Sequence, residues 1–176
     1  MILIGLSGKA GAGKSTVARY LVEDYGFTLI RFADLLKEML RVLGLTDLEL
    51  EGAGKEKPCY LLGGKTPRLA MQTLGTEWGR HTMYSDIWVE AWYRRVNESL
   101  QAGGKVVCDD VRFANEVSAV KQLSGAVINI KNPNMVDHSD SHISETESLD
   151  HDFRILNNGT VTELREKISQ YLRNRL

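Results

Sequence analysis

Three glycines, Gly8, Gly11 and Gly13, run directly into Lys14, Ser15 and Thr16 in the stretch LSGKAGAGKST. Read as G-x-x-x-x-G-K-S, this is a phosphate-binding pattern. Glycine has no Cβ, so its backbone takes positive φ and turns successive N–H groups inward around an anion. The start of a following helix adds its own positive end to the same cradle. The pattern implies a nucleoside triphosphate held by Gly8, Gly11, Ala12, Gly13, Lys14, Ser15 and Thr16. Lys14 would reach the β- and γ-phosphates, and the Ser15 hydroxyl would ligate Mg²⁺.

A second set of polar groups closes the apolar run KVVCDDVRF. A carboxylate at the end of a buried strand, Asp110 or Asp109, is a partner for Mg²⁺ opposite the loop serine. Strand alternation predicts that the two acids point to different faces. Arg112 is placed to contact phosphate oxygens as a bidentate donor, while its spacing from Glu116 equally allows a surface ion pair. A third set lies in TPRLAMQTLGTEWGRH, where Arg68 and Gln72 share one helix face and Arg80 adds a second cation. A phosphate and a nucleobase edge on an acceptor need such groups. The remainder of that helix, Leu69, Met71, Leu74 and Trp78, is expected to face inward. Gly75 and Gly79 imply that something approaches its backbone closely.

These groups must be carried by a framework, and the framework is legible. MILIGLS is an apolar strand ahead of the loop, and STVARYLVEDYG continues as a helix with Gly26 as its stop. Strands are expected at 27–32, 105–110, 126–131 and 153–158. Helices are expected at 33–44, 66–81, 85–104, 114–125 and 160–174, with Thr66 and Pro67 opening the one at 66. Residues 45–66, with five glycines and prolines, read as an excursion outside the core, and 132–151 as a polar loop. Strands alternating with helices give an α/β fold with a parallel sheet, in which ligands gather at the C-terminal strand ends. The glycine loop, the acid pair and the NNG turn at 157–159 all fall there.

With 22 basic and 23 acidic residues the net charge is −1, which favours neither nucleic acid nor membrane as a partner. No charged segment precedes an apolar run at the N-terminus, and no apolar run nears the roughly 20 residues of a membrane span, so a cytoplasmic location is expected. Cys59 and Cys108 are far apart and outside any CxxC or Cys/His cluster, which predicts reduced thiols and no structural zinc. Composition leaves a homodimer open.

The combination SGKAGAGKSTVARYL, RFADLLKEML, TPRLAMQTLGTEWGR, CDDVRFANE and NNGTVTEL resembles the deoxynucleoside monophosphate kinases of bacteriophages and prophages, in the same order over nearly the whole chain. The resemblance implies a P-loop kinase fold with a five-stranded parallel sheet flanked by helices. It implies one kinase domain with a core at about 1–44 and 85–176, a substrate-binding insertion at about 45–84 and a lid at about 132–151. It also implies transfer of the ATP γ-phosphoryl to a deoxynucleoside monophosphate, with ATP and Mg²⁺ as cofactors. Phe32, Ala33, Asp34 and Lys37 would line the monophosphate pocket. Arg68, Gln72, Thr76, Trp78 and Arg80 would hold the acceptor's phosphate and base. Asp110 and Arg112 would serve metal and phosphates, and Asn157, Asn158, Gly159 and Thr160 would lie near the donor adenine. Adenylate-kinase-like lids carry arginines, whereas 132–151 has none, only His138, His142 and His151. Neutralisation of transition-state charge then falls on Arg112, Arg80 or Arg154, and the histidines read as polar loop residues. Dephospho-coenzyme A kinase shares the loop, the sheet and a nucleotide-like acceptor, but the TPR…QTLGTEWGR block disfavours it. A nucleotide switch would use the loop without an acceptor; the N-K-x-D signature of guanine switches is absent.

Overall fold

The computed structural model describes residues 2–134 and 149–173. Two compact units emerge: one from residues 1–31 and 94–176, the other from residues 32–93. The segment 45–84, expected as an insertion, lies inside the second unit.

The first unit is a five-stranded sheet in the order β2-β3-β1-β4-β5, formed by Thr28–Leu29 (β2), Lys105–Val111 (β3), Ile2–Ser7 (β1), Ala126–Lys131 (β4) and Phe153–Leu156 (β5). Every neighbouring pair is parallel. All-parallel sheets are covered on both faces, which is why β1, β3 and β4 are nearly continuous apolar runs. One face carries Ile4, Leu6, Ile128 and Ile130 against Val17 and Leu21 of α1 (Lys14–Tyr25) and Leu164 and Ile168 of the closing helix. On the opposite face a Cβ at Gly5 would come within 3.2 Å of Val120, in the helix Ala114–Gln122. Strand β1 therefore has β3 on one side and β4 on the other, and the crevice beyond its carboxyl end is where such sheets bind ligands. The 27–32 strand shortens to two residues, and the 153–158 strand to four.

The second unit begins with α2 (Asp34–Val42) and α3 (Asp47–Leu50). The segment 45–66 is not the coreless excursion expected. Leu45 and Leu50 are buried with Leu36, Leu40 and Trp88 in this unit's own core. Thr46 caps α3, its N–H and hydroxyl donating to the Glu49 carboxylate at 2.7 and 2.8 Å. The glycines that suggested a break instead make tight 3-10 turns at Gly52–Glu56 and Tyr60–Leu62. The 66–81 helix opens as expected, Thr66 Oγ1 accepting the Leu69 N–H at 3.2 Å, with Pro67 in the first turn of α4 (Pro67–Gln72). It then changes winding and runs as a π-helix over Thr73–Met83. Leu69 and Trp78, expected inside, are 43% and 36% exposed. Trp78 lies in the π-wound stretch, where α-helical spacing no longer places residues on one face, whereas Leu69 is exposed on the α-wound turns before it. The chain continues through α5 (Ile87–Gln101), α6 (Ala114–Gln122) and α7 (Val161–Arg173). No helix among the described residues is long and apolar enough to cross a membrane.

Candidate active site

Strand β1 ends at Ser7 and α1 begins at Lys14, so Gly8–Gly13 must turn the chain in a single loop. Gly8 and Gly13 sit at φ +132° and +108°, and each is also sterically compelled. A Cβ on Gly8 would lie 2.2 Å from the Ile130 carbonyl oxygen, and one on Gly13 would lie 2.6 Å from Asn157 Nδ2. Asn157, from the turn after β5, donates this amide to the Ala12 carbonyl at 2.9 Å, which ties the loop to the far side of the sheet. Lys14 is only 8% exposed, and its ammonium donates to the carbonyls of Gly8 at 2.6 Å and Lys9 at 2.8 Å. Burying a cation requires such partners, and their location fixes the charge inside the loop rather than out in solvent. Ser15 follows on an exposed position and Thr16 on a half-buried one.

The strand ends around the loop form a polar ladder in which Arg154, a candidate for neutralising transition-state charge, is joined by Ser7 and Asn129, which the sequence reading missed. Ser7, Asn129 and Arg154 are register partners across β1, β4 and β5. Arg154 Nε donates to Asn129 Oδ1, and Asn129 Nδ2 donates to Ser7 Oγ, both at 3.2 Å. Only their polarity in otherwise apolar strands marked them.

Asp109 and Asp110 lie where the register slips: Gly5 pairs with Cys108 but Ser7 pairs with Val111, leaving one extra residue in β3. Such bulges recur beside active sites because they re-aim side chains, and this one interrupts the simple alternation expected of the pair. Asp109 is 5% exposed and ion-paired to Arg31 Nε at 2.7 Å. Asp110 is half-buried and its Oδ1 accepts the Cys108 thiol at 3.0 Å. Burial, with the Asp110 charge adding to it, pushes the Cys108 thiol well above its ordinary value, so it stays protonated. Glu116 does not lie at the surface, where its spacing allowed an ion pair with Arg112. It is buried, and its Oε2 accepts the backbone N–H groups of Arg112 at 2.6 Å and Phe113 at 3.1 Å, capping α6. That cap fixes the backbone from which the Arg112 side chain departs.

The second unit gathers cations. Lys37 Nζ meets Glu51 Oε1 at 2.6 Å, and Arg68 pairs with Glu56. Lys55 joins them: burial, then the charges of Arg68 and Lys37, pulls its ammonium below the usual lysine range. Its placement is built in, because the turn that carries it packs so closely that a Cβ on Gly54 would overlap the Leu48 carbonyl. Sequence reading took GAGKEK for a break in pattern, yet a glycine directly before a lysine was the available signal. Phe32 stacks on Trp92 with ring centroids 4.3 Å apart, directly before Ala33, the N-cap of α2, and Asp34 in its first turn. Gln72 closes α4, Thr76, Trp78 and Arg80 ride the π-helix, and Arg80 Nη1 donates to the Ser85 carbonyl at 3.1 Å.

The glycine loop lies in one unit and the cation cluster in the other, and relatives identify the family. The sequence profile of the family Deoxynucleotide monophosphate kinase matches residues 66–168. The chain belongs to this family. A protein of Acanthamoeba polyphaga mimivirus, provisionally assigned as a deoxynucleotide monophosphate kinase, is 35% identical over 96% of this chain and 94% of its own length. A cytidylate kinase of Natronomonas pharaonis is 42% identical over 55 residues, 31% of this chain and 29% of that one. Among solved structures, shikimate kinase from Aquifex aeolicus superposes with a TM-score of 0.57 at 13% identity, covering 98% of this chain and 97% of that one. Mycobacterium tuberculosis APS kinase in complex with AMPPNP and APS gives 0.56 at 10%, covering 97% and 96%. At such identities these two establish the fold alone, a P-loop kinase fold.

The kinase is thus a phosphotransferase acting on nucleoside monophosphates. Of the turn expected near the donor adenine, Asn157 touches the loop. Asn158 accepts from Lys167 at 3.0 Å, and Thr160 N–H donates to Glu163 at 2.7 Å to cap α7. A Cβ on Gly159 would lie 1.8 Å from Glu163 Oε2, so any other residue there would displace the capping carboxylate. His151 bonds the Leu149 carbonyl at 3.1 Å. His138, His142 and most of the 132–151 segment, expected as a lid, lie outside the described residues. For magnesium, an exposed Ser15 hydroxyl and a half-buried Asp110 carboxylate are fitting donors, since this ion takes one or two carboxylates and completes its shell with water and phosphate oxygens.

Proposed function

We propose that the chain transfers the γ-phosphoryl of ATP to the phosphate of a deoxynucleoside monophosphate, with Gly8–Thr16 cradling the donor and Lys37, Lys55 and Arg68 receiving the acceptor's phosphate. The observation that carries this reading is the pair of cations Lys37 and Arg68 held by the carboxylates of Glu51 and Glu56, with Lys55 near enough to feel their charges. A phosphate dianion offers the same cations stronger, bidentate partners. Gln72, Thr76, Trp78 and Arg80 supply an amide, a hydroxyl, a ring and a guanidinium for the nucleoside. Asn157, Asn158 and Gly159 border the donor's adenine side. The acceptor phosphate is already ionised at neutral pH, so no strong base is needed, and positioning plus charge neutralisation carry the rate. Lys14 follows the charge toward the leaving oxygen, with Arg112 and Arg80 neutralising the transferring group. Ser15 and Asp110 would hold magnesium, which would supply neutralisation of phosphate charge.

An acceptor panel tests it. With ATP and Mg²⁺, ADP release should depend on dCMP, dGMP or dTMP. Preference for dephospho-coenzyme A would move the chain to another acceptor class, and ADP release independent of any acceptor would make it a hydrolase or switch.

A further inference from the structure

We infer that Trp88 is a positioning residue that holds the Thr73–Met83 helix in its π winding and so sets which acceptors the kinase prefers. This rests on the acceptor reading above.

The starting point is the winding itself. π-helical hydrogen bonding normally occurs as single-turn bulges inside α-helices, frequently at functional sites, whereas here it persists for 11 residues. Nothing in TLGTEWGRHTM favours that winding locally; two glycines weaken any helix. The support is therefore tertiary, and its source is visible. Trp88 is buried, and its indole N–H donates to the Gly75 carbonyl at 2.7 Å. The same ring covers Gly79 so closely that a Cβ there would lie 2.6 Å from Nε1 and 2.7 Å from Cζ2. One side chain thus fixes two points of the helix four residues apart, by a hydrogen bond and by volume. A buried indole N–H needs an acceptor, so the arrangement is held from both sides. Contacts five residues apart then carry the winding to its end: Thr82 Oγ1 donates to the Glu77 carbonyl and Tyr84 N–H to the Gly79 carbonyl, both at 2.9 Å.

Thr76 and Arg80 directly follow the two glycines that Trp88 holds, while Arg68 and Gln72 sit in the α-wound turns before them. A π winding turns each residue through a smaller angle than an α winding. The direction of Thr76 and Arg80 relative to Arg68 and Gln72 is therefore decided by which winding is kept. Trp88 need not touch the acceptor to control how these side chains meet it.

The test measures kcat and KM for a panel of deoxynucleoside monophosphates, with ATP affinity measured separately in the absence of acceptor. Trp88→Phe keeps an aromatic ring but removes the pyrrole portion with its N–H. It should raise acceptor KM about tenfold and compress the ratio of kcat/KM between the best and worst acceptors, with ATP affinity within about twofold. Gly79→Ala should be more damaging in the wild-type background than beside Trp88→Leu, where the indole no longer opposes the new methyl. Should Trp88→Phe fail to fold, the Gly79→Ala comparison carries the same information. Unchanged acceptor ratios in Trp88→Phe, whatever its melting temperature, would reduce Trp88 to a core residue and overturn the inference. So would a Gly79→Ala penalty that is the same with and without the indole. A wild-type enzyme with no acceptor-dependent ADP release would instead remove the acceptor reading itself.

Discussion

The two regions proposed to meet phosphate in this kinase are built by opposite means. Around the glycine loop the main chain does the binding: carbonyls of Gly8 and Lys9 hold Lys14, the Asn157 amide fixes Ala12, and neighbouring atoms permit only glycine at 8 and 13. In the 32–93 unit the groups are side chains in ion pairs, the largely buried Lys37 with a half-exposed Glu51, and Arg68 with Glu56, both half-exposed. Exposed pairs contribute roughly 0–1 kcal/mol and are readily exchanged. A site made of backbone is preorganised and suits a donor common to many kinases. A site made of exchangeable pairs can give up its carboxylates to an incoming phosphate and vary its contacts with the acceptor.

The sharpest break in that comparison is Lys14→Ala. Loss of a cation that follows developing charge should lower kcat by about 10²- to 10⁴-fold, roughly 3–5 kcal/mol, in steady-state ADP release. Near-wild-type turnover would remove the donor assignment. Gly8→Ala attacks the backbone half directly. Positive φ and the Ile130 carbonyl both oppose a methyl, so denaturant unfolding should show a loss of about 1–3 kcal/mol or more, with weaker ATP binding.

Arg68→Ala attacks the side-chain half. Charge-assisted bonds to phosphate are worth on the order of 1.5–3 kcal/mol each, so acceptor KM should rise at least tenfold while ATP affinity without acceptor stays within about twofold. The reverse pattern would move the acceptor site elsewhere. Lys55 adds a pH signature. Its pKa lies below the ordinary lysine value of 10.5, so between the two the folded protein has released a proton that the unfolded chain keeps. Acceptor KM should therefore begin to rise at lower pH than an ordinary lysine would require, and Lys55→Arg should abolish that early rise. The same imbalance makes Lys55's own contribution to stability increase with pH across this window, since the unfolded state binds more protons there. The smallest effect is Glu56→Gln. If Glu56 occupies the place of the phosphate, removing its charge should lower acceptor KM by up to about fivefold, in line with an exposed pair. A raised KM would mean that Glu56 orients Arg68 rather than competing for it.

Much of the first unit was legible because its rules are local. A glycine loop between an apolar strand and a helix needs positive φ wherever it occurs, so Gly8–Lys14 could be read without the rest of the chain. The Thr66–Pro67 helix start and the Gly26 stop follow equally local capping rules. The second unit resisted because its features depend on partners far along the chain. Leu45 and Leu50 become core only when α2 and Trp88 are beside them, and Lys55 becomes part of a cation cluster only when the turn over Gly54 brings it to Lys37 and Arg68.

Residue types alone thus determined the glycine loop, the alternation of strands and helices, and the need for close approach at Gly75 and Gly79. Tertiary structure decided what makes that approach and what it does. The Trp88 indole, nine residues beyond Gly79, supplies a hydrogen bond and a volume that no window of helical periodicity contains, and the helix gives up α winding to receive them. It likewise decided the fate of the two acids, since a slip of one residue against β1 is a property of two strands paired, not of either strand read alone.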